Sequence, residues 1–185
     1  MKMKIIFLIF LTLLFFQSNC FGIKFMNNQY VPAEYVVIAQ QIRTDVAAKL
    51  SKRYNMQVIG VTGGLADCVN VLGLSFQIRG PLIKEELRRI LVDCVEEFLI
   101  PINTNERLRP FLKNYPFTSK EIEIEIFIVD DTGRRVYDPE IMLAAEYHGI
   151  VEYRTADKNT KFGYKQEMEE DYQTALSIVR KEQQK

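Results

Sequence analysis

The 185-residue chain has one histidine, three cysteines and no excess of either charge, with 24 basic and 24 acidic side chains. Each scarcity excludes something. A single histidine, His148, removes any site built on two histidines. Cys20, Cys68 and Cys94 have no paired spacing, so no metal site and no cofactor is expected. Basic pairs occur at Lys52-Arg53, Arg88-Arg89 and Arg134-Arg135, each among acidic or apolar residues, and the balanced charge gives no basic face for nucleic acid. No G-x-S-x-G frame surrounds a serine. Gly60, Gly63 and Gly64 follow a β-prone run, but no Lys-Ser/Thr pair opens a helix after them. The segment therefore reads as a tight or bulged turn and not as a phosphate loop. No catalytic, cofactor or metal residue is assigned.

What is present begins at the N-terminus. Lys2 and Lys4 precede an apolar run from Ile5 to Phe16, and Gln17, Ser18, Asn19 and Cys20 follow it. Basic start, apolar stretch and small-residue exit are the parts of a secretory signal. The run is shorter than the ~20 residues of a membrane-spanning helix. Residues 1–22 are therefore expected to be a signal peptide, and 23–185 a single exported domain, periplasmic or secreted. Two other fates stay open: a lipoprotein anchored through Cys20, although Gln17-Ser18-Asn19 lacks the usual Leu and small residue, and an uncleaved leader. Membrane contact is expected only in those two cases. Loss of Lys2 and Lys4 leaves 22 basic against 24 acidic residues, a net charge of −2. After cleavage only Cys68 and Cys94 remain, a possible disulfide in an oxidising compartment. Cys94 as a small buried hydrophobe is the alternative.

Hydrophobic periodicity gives the elements. Val36, Ala39, Ile42, Val46 and Leu50 recur at helical spacing after Pro32, predicting a helix that ends near Tyr54-Asn55. Met56 to Val61 and Val69 to Arg79 read as strands, and the stripe Ile83, Leu87, Ile90, Leu91, Cys94, Val95 and Phe98 as a second helix. Pro101 to Ser119 is a connection rich in proline and aromatic residues. Glu121 to Val129 alternates strictly, with Ile122, Ile124, Ile126 and Ile128 against Glu121, Glu123 and Glu125. Asp130 to Gly133 is a turn, followed by a short strand at Arg134 to Tyr137. Ile141 to Tyr147 and Ile150 to Thr155 form a hairpin around His148-Gly149. A final helix is expected from Tyr164 to Arg180. The order α-β-β-α-β-β-β-α predicts an α+β fold, with an antiparallel sheet of about five strands and helices packed on one face.

Two kinds of site follow. A small hydrolase or thiol enzyme would use Cys68 or His148, but His148 falls at a hairpin tip and Asp67 beside Cys68 disfavours a thiolate. A binding domain would use the wet face of the sheet, with Ser75, Gln77, Glu123 and Glu125, joined by Tyr115 and Phe117 from the connection. The run from Gly80-Pro81-Leu82 to Phe98, with Asn114-Tyr115-Pro116-Phe117-Thr118 and the Glu/Ile strand, resembles a group of small uncharacterised exported bacterial proteins. That resemblance implies export and a single domain, and no activity. The sequence is thus read as an exported bacterial binding domain whose partner is an envelope or host protein, with the hydrolase or thiol enzyme as the alternative.

Overall fold

The computed structural model describes residues 31–161 and 163–184. The expected signal segment, its cleavage point and Cys20 lie outside the described residues. The first element is α1, Glu34–Tyr54, whose buried Val36, Ala39, Ile42, Val46 and Leu50 form one stripe. It stops at Asn55, which takes the left-handed conformation (φ 52°) that a short polar side chain tolerates. β1 (Gln57–Gly64) and β2 (Val71–Arg79) follow as an antiparallel pair. α2, Lys84–Thr104, carries the chain back along the sheet, and β3 (Ile122–Val129) runs parallel to β2. β4 (Ile141–Tyr147), β5 (Ile150–Ala156) and β6 (Tyr164–Asp171) add on in antiparallel succession. α3, Tyr172–Gln183, closes the fold. The six strands make one sheet in the order β1-β2-β3-β4-β5-β6.

The architecture is α+β, and two finer expectations need correction. The sheet is mixed and not purely antiparallel. Strands joined by a helix that returns along the sheet run in the same direction, so α2 forces β2 and β3 parallel. The sheet also has six strands and not five, because residues 164–171 form β6 where a helix was expected. The inward residues of β6, Gln166, Met168 and Glu170, pair with Thr155, Tyr153 and Val151. They are too polar to show an apolar alternation. The helix starts at Tyr172 because the Asp171 side chain accepts from the Gln173 (2.8 Å) and Thr174 (3.2 Å) backbone N–H groups, which fixes the cap there. Residues 134–137 contribute a single bridge, Arg135 to Val129. α2 continues through Pro101 into the expected connection. Its last turn is anchored by fully buried Ile102 and by Asn103, which bonds both backbone groups of Phe117.

All three helices lie on one face. There Leu72, Leu74, Phe76 and Ile78 of β2 stand opposite Ile122, Ile124, Ile126 and Ile128 of β3, and all eight are buried. The same face continues through Ala144, Glu146, Val151 and Tyr153 to Met168 and Glu170. Among the described residues, no helix is long and apolar enough to cross a membrane.

Candidate binding face

Alternation along the strands sends a second set of side chains to the helix-free face. Register places Ser75, Glu125, Ala145, Glu152 and Glu169 in one cross-strand row. The row on one side holds Gln77, Phe127, Leu143, Arg154 and Glu167, and the row on the other begins with Gly73, Glu123 and Tyr147. Gly73 has no substitute here. A Cβ would lie 2.2 Å from Thr62 Oγ1 and 2.5 Å from the Glu123 carbonyl, both within overlap distance.

Glu125 is the anchor of the face. Ser75 Oγ donates to its Oε2 (2.5 Å), and the Tyr147 hydroxyl donates to its Oε1. Burial, reinforced by that bond, pushes the Tyr147 hydroxyl well above the usual range, so it stays a donor. Ala145, between Glu125 and Glu152, is fully buried although no helix covers it. Arg154 lies 2.6 Å from Glu152 Oε2 and 3.4 Å from Glu167 Oε2, with its guanidinium 4.8 Å from the Tyr164 ring centroid. The strand rows of this face carry Glu123, Glu125, Glu152, Glu167 and Glu169 against Arg154 and Arg79, so the rows are acidic.

At the Arg79 end, Arg135 of the connection to β4 joins Ile59, Gln77, Phe127, Val129, Met142 and Tyr164 around a cavity of about 430 Å³. Ile59 reaches it because β1 is bulged between Val58 and Gly60. One extra residue enters the strand and its side chain is re-aimed.

Ser75, Gln77, Glu123 and Glu125 therefore stand together. Tyr115 and Phe117 do not join them. Phe117 is 2% exposed in the core, and the Tyr115 hydroxyl reaches the Asn103 carbonyl at the end of α2, with Arg109 over its ring. Glu121 leaves the wet row as well. It is buried, and it accepts from the Thr118 backbone N–H and hydroxyl and from Asn114. Sequence reasoning passed over Ile59, Arg135 and Tyr164, for which no local pattern speaks. Glu152 and Arg154 were also missed, although their alternation with Val151 and Tyr153 could have placed them on this face.

The residues of the enzyme alternative, Cys68 and His148, make their contacts with different groups. His148 (φ 53°) and Gly149 (φ 88°) are the two central positions of a tight hairpin turn, both in the left-handed region. The His148 ring has one polar contact among the described residues, Nδ1 to the Lys120 carbonyl at 3.4 Å. The Cys68 thiol donates to Asn70 Oδ1 (3.2 Å). Cys94 is enclosed in α2, where burial drives its thiol far up. Both cysteines are free thiols in this structure.

Compared with protein-family models, with curated proteins and with solved structures, the chain matches none.

Proposed function

We propose that this chain is an exported, non-catalytic binding domain that holds an envelope or host protein against the helix-free face of its sheet. Export rests on Lys2, Lys4 and the apolar run from Ile5 to Phe16. Binding rests on one observation. A six-stranded sheet puts all its helices on one side and leaves an acidic face, centred on the Ser75–Glu125–Tyr147 cluster, on the other. Such a face complements a partner surface rich in lysine and arginine, and charge complementarity sets partner choice and encounter rate.

The test is charge reversal at half-buried Glu123 and exposed Glu167 and Glu169, made as Glu123→Lys with Glu167→Lys and Glu169→Lys. Purified wild-type and reversed domains are compared for capture of proteins from the host's envelope fraction at low and high salt. The proteins held by the wild type at low salt are expected to fall by roughly tenfold on reversal and on adding salt. A reversed domain with unchanged circular dichroism that holds the same proteins equally well would sink the reading.

A further inference from the structure

The cavity at the Arg79 end of the helix-free face differs from the rest of that face in its chemistry. Its walls are mostly apolar, Ile59, Phe127, Val129 and Met142, with the Gln77 amide and the Tyr164 phenol as polar edges, and its volume of about 430 Å³ lies within the range of small-molecule pockets. One cation borders it. Arg135 Nη1 donates to the Lys161 carbonyl (2.7 Å), and its guanidinium lies 5.9 Å from the Tyr137 ring centroid. No carboxylate pairs with it among the described residues, and its Nε is buried without a hydrogen-bond acceptor. An arginine can present Nε–H and Nη2–H side by side, as two parallel donors spaced to meet the two oxygens of a carboxylate. Here the competing nitrogen, Nη1, is already tied back to the chain, which leaves that edge unused.

We infer that this cavity binds a small carboxylate with an apolar tail. The carboxylate takes the Nε/Nη2 edge of Arg135, and the tail lies along Phe127, Met142 and Tyr164 toward Ile59. Three observations converge on this ligand class. A buried donor without an acceptor costs free energy that an incoming anion recovers. An apolar wall continuous with that donor selects an amphiphile over a free inorganic anion. The β1 bulge also adds an extra residue, Ile59, which is 46% exposed and lends one more apolar side chain to the lining of the cavity. The acidic strands nearby set a further selection, because a second negative charge on the tail would meet them. The inference rests on reading the helix-free face as a binding surface, and it adds a low-molecular-weight ligand to one end of it.

Octanoate and octan-1-ol are the probes, matched in tail and different in head. Each is titrated into the uniformly ¹⁵N-labelled protein, following the Gln77 and Phe127 amides and the Arg135 Nε–H resonance. Octanoate is expected to shift all three and to bind at least about tenfold more tightly than octan-1-ol. Arg135→Met is expected to remove that difference by weakening octanoate alone, and Arg135→Lys, which keeps the charge but loses the fork, to fall between. Ile59→Asp is expected to weaken both probes. Equal binding of acid and alcohol, an Arg135→Met protein that still prefers the acid, or no shift with octanoate would each overturn the proposal. If Arg135→Met fails to fold, Arg135→Lys and the acid/alcohol ratio on the wild type still decide it. Failure here leaves the charge-reversal result on partner capture standing, so the two readings fail separately.

Discussion

The covered face of the sheet has two halves. Over β2 and β3, Leu72, Leu74 and Phe76 meet Ile122, Ile124 and Ile126, an interior of hydrocarbon alone. Toward β4, β5 and β6, the helices cover a set of buried polar groups. Arg88 Nε on α2 donates to Glu170 Oε1 (2.8 Å), the Tyr153 hydroxyl donates to the same oxygen (2.7 Å), and Tyr172 donates to Glu96 (3.1 Å). Within this polar half two carboxylates behave oppositely. Burial acts to raise both. For Glu170 the bonds from Arg88 and Tyr153 outweigh it and hold the carboxyl below its ordinary range. Glu146 accepts one bond, from the Gly149 N–H (2.7 Å), and its Oε2 has no partner among the described residues. Desolvation, with Glu123 and Glu121 nearby, pushes it up to about 8. Burial alone neutralises a carboxylate, whereas burial with two donors, one of them charged, keeps it ionised.

Three measurements test that contrast. The largest effect belongs to the apolar half. Phe76→Ala, at a fully buried site, is expected to cost about 3–5 kcal/mol in urea unfolding, because transfer energy and cavity add. In the polar half, Arg88→Ala is expected to cost about 3 kcal/mol, since Glu170 is left charged and nearly buried. Replacing the set together, Arg88→Met with Glu170→Met and Tyr153→Phe, is expected to return most of that loss. If the triple variant were as unstable as the single one, the cost would come from packing and the two halves would not differ in kind.

The third effect is a slope. The folded protein keeps a proton on Glu146 that the unfolded chain releases near pH 4.5, so rising pH favours unfolding until the folded group ionises near 8. The contribution is complete at low pH. It is lost at about 1.4 kcal/mol per pH unit through that window. Glu146→Gln keeps the acceptor for Gly149 and removes the charge. Denaturation curves at pH 5, 6.5 and 8 are therefore expected to show stability falling in the wild type relative to the variant. Parallel pH dependence in the two proteins would place the burden on another group.

The same division explains how much was legible in the sequence. The apolar half announces itself. Ile122, Ile124, Ile126 and Ile128 alternate with glutamates, and Leu72, Leu74, Phe76 and Ile78 with small or polar residues, so both strands and their inner faces were evident from periodicity. The polar half hides for the same reason that it differs. Glu170 and Gln166 point inward, so β6 shows no apolar alternation, and Met168 with Tyr172 mimicked a helical pair instead. Direction was missed on other grounds. A wet face on β3 suggested antiparallel neighbours, yet the intervening helix already implied that β2 and β3 run the same way. Of the face itself, Ser75, Gln77, Glu123 and Glu125 were legible because alternation fixes a side of the sheet. Arg135 and Ile59 were not, because a connection returning over the sheet and a bulge in an edge strand are set by tertiary packing.

The strand order has a consequence for synthesis. Each strand's place in the sheet is beside the one before it in the chain, from β1 to β6. No strand has to be threaded between two that are already paired. As the polypeptide emerges from a ribosome, each new segment can therefore add to a growing margin and leave the earlier ladders intact. The largest pause falls between β2 and β3, where α2 and the residues after it must appear before the next strand can dock. A chain so ordered can be delivered end first and assembled in the sequence of its arrival.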